Sequence, residues 1–308
     1  MRRNTIKLGL FVGLCLLGVS CGEVQAFGAK TSTKTVQVGK KAKSSKDNKK
    51  NKVLSAKQIT TMQEKLRTLK SATVYNTLNI GLETNVNGKN KSIERKVQGK
   101  LDVQINPVKI RNTVTFQPFL SLPKQVNKSY IEENNDRYFQ YLKIGEEWQK
   151  IELKKRSDFF EIDAFVVAPH FFDGITNVKE ISKGKISGEE VIKVQGTLSK
   201  EGLQAILETS GIFPILNLDQ GSELSKNKIE NYYNKETVTF WITKNNELVK
   251  LKVNLTNPVR KIINDLDEDI LQVPSYFPIK NVEYAISYFN RNQVKNITIP
   301  QEVYQANK

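Results

Sequence analysis

Between Ser55 and Leu69 apolar residues recur every three or four positions, and further along the chain they recur every second one. Ile59, Met62, Leu66 and Leu69 share one helical face. Ser55 with Gln58 forms a capping box ahead of them, so the spacing predicts a first helix over about 56–70. From there the period is two. Leu78, Ile80 and Leu82 alternate with polar neighbours and run into Asn87-Gly88, a hairpin-turn dipeptide. Leu101, Val103 and Ile105 alternate with Lys100, Asp102 and Gln104. Tyr138 to Leu142 leads through Gly145-Glu146 into a second strand, Trp148 to Leu153. Val238, Phe240 and Ile242 are followed, past Asn245-Asn246, by Val249, Leu251, Val253 and Leu255, and a last pair is predicted at Tyr284 to Phe289 and Val294 to Ile299.

Strands joined by short turns make an antiparallel meander, and strict alternation leaves one face buried and the other wet. Three helical stretches interrupt the strands: the strongly apolar Phe159 to Phe172, a segment after Ser199 that carries Leu203, Ile206 and Leu207 and stops at Gly211, and a segment opened by Asn257-Pro258 and reaching about Leu266. They are too few to cover both faces of so wide a sheet. The fold class expected is therefore α+β, a large curved antiparallel sheet with helices packed in its concave face. Val238, Phe240 and Ile242 should share that face with Leu251, Val253 and Leu255, because the opposite pairing would bury Lys250 and Lys252.

The first 26 residues have another character. Arg2, Arg3 and Lys7 precede an apolar run from Leu8 to Val19, too short for a membrane span of roughly 20 residues and suited to a secretory leader. Leu17-Gly18-Val19-Ser20-Cys21-Gly22 resembles a lipobox, in which Cys21 is acylated and becomes the new N-terminus. Val24-Gln25-Ala26 offers ordinary signal cleavage instead. Cys15 and Cys21 are the only cysteines, so the body can form no internal disulfide.

Charge sharpens the division. The net of +16 suggests nucleic acid until it is located: residues 1–52 hold 12 basic and 2 acidic residues, leaving 36 against 30 in the remainder. Residues 27–52 are Lys, Ser, Thr, Gly and Asn with little to bury, a composition that predicts a disordered tether lifting residues 53–308, one α+β domain, off an anionic surface. The aromatic residues lie in the body, away from that lysine run, which disfavours nucleic acid as a partner.

Motifs of chemistry are few. Gly18-Val19-Ser20-Cys21-Gly22 spells the hydrolase elbow but lies in the leader, and Ser-x-x-Lys at Ser121, Ser182 and Ser225 lacks its partner motifs. His170, the single histidine, sits between Pro169 and Phe171 and reads as a packed loop residue. Asp265, Asp267 and Asp269 begin like a calcium loop, yet Ile270 stands where glycine is needed and Tyr276 where the bidentate glutamate belongs. No catalytic residue, metal site or cofactor is expected.

The order of these features resembles that of the LolA/LppX-like bacterial lipoproteins, most of all the Gram-positive surface lipoproteins of that shape. The residues that carry the resemblance are the Cys21 lipobox, Lys65-Leu66 to Ala72 entering the first strand, and Tyr138 to Leu142 turning into Trp148-Gln149-Lys150. Gly196-Thr197-Leu198-Ser199 entering a helix and the closing Ile299-Pro300-Gln301-Glu302-Val303 with Ala306 complete the set. Gly18, in place of the usual leucine, and the long lysine tether are departures. The resemblance implies a half-open barrel whose concave face and helices enclose an apolar cavity, in a group whose members carry lipids or lipoproteins. The candidate cavity residues are Phe165, Phe171, Phe172, Ile206, Phe240, Ile242, Leu251 and Val253. The expectation is a non-enzymatic protein, lipid-anchored through Cys21 on the outer face of the cell membrane or secreted after cleavage near Ala26, that binds a lipid or other apolar ligand. The alternative is an envelope interaction protein whose core is filled.

Overall fold

The computed structural model describes residues 53–86, 89–117, 124–153, 167–215, 229–265 and 278–305. Helix α1 (Ala56–Arg67) opens them, with the Ser55–Gln58 capping box formed in both directions and Ile59, Met62 and Leu66 buried. Six strands follow: β1 (Ser71–Val86), β2 (Lys89–Ile105), β3 (Val108–Gln117), β4 (Gln125–Asn134), β5 (Arg137–Ile144) and β6 (Glu147–Leu153). After a 3-10 turn (Ala168–Phe172) come β7 (Thr176–Ile186), β8 (Glu189–Thr197) and α2 (Lys200–Thr209). The short helices α3 (Ile212–Ile215) and α4 (Ile229–Tyr232) lead into β9 (Thr237–Ile242), β10 (Leu248–Asn254), α5 (Thr256–Asn264) and β11 (Ile279–Phe289), and a second 3-10 turn (Gln301–Gln305) closes the described chain.

All eleven strands form one open antiparallel sheet, in the order β6-β5-β4-β3-β2-β1-β11-β10-β9-β8-β7. The chain meanders from the centre to the β6 edge, passes to the β7 edge, and meanders back until β11 pairs with β1. Val86 pairs with Lys89 across the predicted Asn87-Gly88 turn, so β1 and β2 are matched to their tips.

Side-chain alternation sorts the sheet into two faces. On the inner face one row reads Val194, Phe240, Leu251, Ile286, Asn76, Gly99 and Val114, and the next reads Val238, Val253, Tyr284, Leu78, Val97 and Phe116. The helices cover this face, and their buried residues join it in one core. Asp173 ties the helical layer together. Its Oδ1 accepts a bond from Gln63 Nε2 of α1 (2.7 Å), and its carbonyl accepts one from Ser199 Oγ, the N-cap of α2 (2.6 Å). A Cβ on Gly202 would lie 2.7 Å from Phe171 O, so only glycine lets α2 approach the 3-10 turn so closely.

The opposite face holds a smaller cluster. Tyr130 and Tyr141 pack there with Ile299 and Val303, flanked by Phe139 and Trp148. Val294 to Ile299, expected as a strand paired with β11, is not one. Asn290, Asn292 and Asn296 have φ of 50°, 57° and 53°, left-handed values that asparagine tolerates and an extended strand does not. Asn292 N–H bonds instead to Ser71 O (2.7 Å), and the last residues cross behind β4 and β5, where Tyr304 and Tyr141 both donate to buried Glu132 (2.9 Å each). Burial first, then the Glu132 hydrogen bond, raises Tyr141 well above the ordinary tyrosine range and Tyr304 to about 12.

Two smaller corrections concern helices. The C-terminal part of the predicted Phe159 to Phe172 helix is the 3-10 turn, with Pro169 in its first turn, and residues 154–166 lie outside the described residues. Helix α5 begins at Thr256, ahead of the predicted Asn257-Pro258 cap, because Asn254 Oδ1 accepts the Thr256 N–H (2.9 Å) and takes the capping role.

Candidate functional site

The inner face is where the sequence placed a ligand, and its geometry can be built strand by strand. β9 sets Phe240 opposite Leu251 and Val238 opposite Val253 of β10, and Ile242 opposite Leu248. Leu251 and Val253 face Ile286 and Tyr284 of β11 in turn. The cover is the 3-10 turn and α2. Phe172 meets the Phe240 ring edge-on at 5.1 Å between centroids, and Phe171 and Ile206 are buried beside them. Seven of the eight candidate residues therefore join one core, each no more than 1 % exposed. Phe165, the eighth, lies outside the described residues.

Several polar side chains on this face were missed from sequence, Asn112, Ser129 and Gln140 among them, and two bear on a ligand. Asn76 interrupts the inward series Val74, Leu78, Ile80. It lies between Ile286 and Gly99, its Oδ1 is buried without a hydrogen-bond partner, and the residue as a whole stays partly accessible. Arg95 points inward opposite Ile80, 5.1 Å from the Phe116 ring centroid, and its Nη1 donates to Ile215 O (3.3 Å). A polar residue in the apolar phase of an alternating strand is the signal that would have found both. Tyr288, also inward, is fully buried, and burial followed by the neighbouring Tyr284 raises its phenol well above the ordinary value.

A separate cleft of about 650 Å³ opens at one end of the sheet, between the C-terminus of α1 and the turns after β7, β9 and β11. Arg291 Nη2 lies 2.5 Å from Glu189 and 3.5 Å from Glu247, and Lys65 pairs with Glu247 at 3.7 Å. Its charges are paired among themselves, a chemistry unsuited to an apolar molecule.

His170 does not pack as expected. Its side chain is about half exposed, with Nδ1 at 2.7 Å from Asp173 Oδ2. Ser199, the nearest hydroxyl in this network, accepts from Gly202 N–H and donates to the Asp173 carbonyl, so it is not directed at the imidazole as a nucleophile would be. Among the described residues no three His, Cys, Asp or Glu side chains gather to hold a metal, and no helix is long and apolar enough to cross a membrane. Asp265 caps the end of α5, and Asp267 and Asp269 lie outside the described residues.

No known protein family and no curated protein matches the sequence. Solved structures do. The chain is similar to the lipoprotein LppX of Mycobacterium tuberculosis, at 14 % identity over 79 % of this chain and 97 % of that one, with a TM-score of 0.42. It is similar to LprF from Mycobacterium bovis, at 13 % identity over 79 % and 95 %, with a TM-score of 0.43. A putative outer membrane lipoprotein-sorting protein domain from Vibrio parahaemolyticus matches at 9 % identity over 75 % and 88 %, with a TM-score of 0.18. These likenesses fall on the group that the sequence resembles.

Proposed function

We propose that this chain is an exported envelope protein, anchored through acylated Cys21, that takes an apolar ligand of the lipid class between its sheet and its helices and catalyses no reaction. The inner face carries this reading. Apolar rows run across β8–β11 and β1–β3, and they are covered by separate helical segments rather than by a second sheet. Such a cover can shift while every strand pair stays intact. Phe165, Phe171, Phe172, Ile206, Phe240, Ile242, Leu251 and Val253 would line the apolar part. Asn76 and Arg95 would meet a polar, negatively charged end.

The filled-core alternative has an observation in its favour, the near-complete burial of Phe240, Leu251 and Val253 against Phe172. Native mass spectrometry of protein purified without detergent separates the two. A lipid bound to wild type and missing from Val253→Phe supports a carrier. No lipid on either protein, with a loss of roughly 1–3 kcal/mol in the variant from overpacking, supports a filled core and an interaction role.

A further inference from the structure

We infer that the face opposite the helices carries a track for a linear anionic polysaccharide. One cross-strand row on that face runs unbroken from β8 through β9, β10, β11, β1, β2 and β3 to β4. Lys193, Trp241, Lys250, Tyr75, Lys100 and Lys128 occupy it, with Ser287 and Thr113 as its two small members. At ~4.8 Å per strand the row is about 34 Å long. It holds four cations and no acid, and none of the four makes an ion pair within the described residues.

The rings are set among the cations. Lys193 Nζ and Lys250 Nζ lie 5.7 and 5.4 Å from the Trp241 ring centroid, and Lys100 Nζ lies 5.7 Å from that of Tyr75. The row on one side holds no acid, and its one lysine, Lys252, is paired with Glu283 at 2.6 Å. On the other side Asp102 is already held by Arg111, whose Nη2 is 2.6 Å away. Within the row the lysines alternate with uncharged members, and no acid stands directly opposite any of them.

Its shape selects the occupant. Neighbouring strands turn by roughly 20–25°, so the outward direction rotates by about 140–175° over seven steps. A flat bilayer touches only part of such a row, whereas a flexible chain follows it. The two rings stand about 14 Å apart, three strands from each other, with a lysine between them. That spacing suits a chain whose sugar rings lie on an aromatic face at intervals and whose acid groups meet lysines in between. It does not suit the successive stacked bases of a single-stranded nucleic acid, which need adjoining aromatic platforms.

The test uses the full chain and calorimetric titration with polygalacturonate in about 50 mM salt, with neutral dextran, phosphatidylglycerol vesicles and oligo(dT) as separate arms. Polygalacturonate is expected to bind with an affinity that falls as salt is added. Lys100→Glu with Lys250→Glu should weaken it at least tenfold at an unchanged thermal midpoint, and Trp241→Ala should weaken it several-fold without altering the salt dependence. Equal affinity in wild type and the double variant, or equal binding of dextran, overturns the proposal. Tighter binding to vesicles or to oligo(dT), lost in the same double variant, would also overturn it and assign the row to a bilayer or to nucleic acid.

Discussion

Phe240→Ala tests how firmly the helical layer closes on the sheet. The ring is fully buried, bounded by Val194 on β8 and Leu251 on β10, and capped by Phe172 at 5.1 Å. Removing a buried phenylalanine costs about 3–5 kcal/mol, and the cost rises with the space left unfilled. Here the strands on either side are held by their own ladders and cannot close inward, while Phe172 sits on a short turn tied by Asp173 to α1 and α2. Only partial collapse is expected, which places the loss near 4 kcal/mol. With a urea dependence of about 2–3 kcal/mol per molar, the midpoint should fall by roughly 1.3–2 M. Urea unfolding followed by tryptophan fluorescence reads this directly, since Trp241 adjoins the altered position and Trp148 reports from β6. A loss under about 1 kcal/mol would refute the argument, for it would mean that Phe172 and α2 are not pressed against the strand.

Cys21→Ala should release the protein from membranes or block its maturation, checked by incorporation of labelled fatty acid into wild type and not into the variant. Deleting residues 28–52 should leave the thermal midpoint of the body within a few degrees, measured by calorimetry. Asp102→Asn should cost about 1.5–3 kcal/mol near neutral pH, because the carboxylate bonds Thr73 (2.7 Å) and Arg111. Burial alone would raise the Asp102 pKa, but those bonds and the Arg111 charge outweigh it and hold it below the ordinary value. The contribution is thus complete above the ordinary carboxylate range and fades as pH falls through the lowered folded value, where wild type and variant should converge. The tyrosines act at the other end: with Tyr304 raised to about 12, its contribution is present below pH 10 and lost as pH climbs through about 12. Tyr304→Phe should show a flatter stability profile over that interval.

The legible parts of the fold were those in which one face is apolar and the other polar without interruption. The α1 capping box, the Phe240 and Val253 registers and the α2 segment behind Ser199 all follow from local spacing. β3 went unread although Val108, Ile110, Val114 and Phe116 keep the alternation, whereas other strands went unread where it fails for physical reasons. β7 is an edge strand with Val178 as its one buried residue, and β8 loses phase against it at two irregular steps. β4 buries Tyr130 and Ile131 in succession, because its inner face meets the main core and its outer face meets the C-terminal residues. Ile299 looked like a strand's apolar position. It is apolar for another reason, since with Val303 it covers Tyr130 and Tyr141 from behind. In the candidate site the apolar residues were legible, while Asn76 and Arg95 were not, because each lies in the apolar phase of its strand but ahead of the alternating runs that open at Leu78 and Leu101.

The topology leaves the cover of the inner face outside the strand ladders. β6 and β7 are consecutive in the chain yet form opposite edges of the sheet, ten strand spacings apart, about 48 Å along it before any curling. Residues 154–175 must make that passage, and at full extension they reach roughly 75 Å, so the link has length to spare. Phe171 and Phe172 belong to it and are buried against the inner face, which fixes the side on which the chain crosses. The cover over Phe240 is therefore a crossover link, set between two edges that have no strand beyond them. Displacing it breaks the Asp173 bonds, the Gln63 bond to the Pro169 carbonyl and the apolar contacts of Phe171 and Phe172, but no ladder hydrogen bond. Opening a closed barrel would have to tear strand from strand. If a ligand enters as proposed, a tethered cover on an open sheet gives up its own contacts and no ladder bond, and the contact with Phe172 is the part that Phe240→Ala measures.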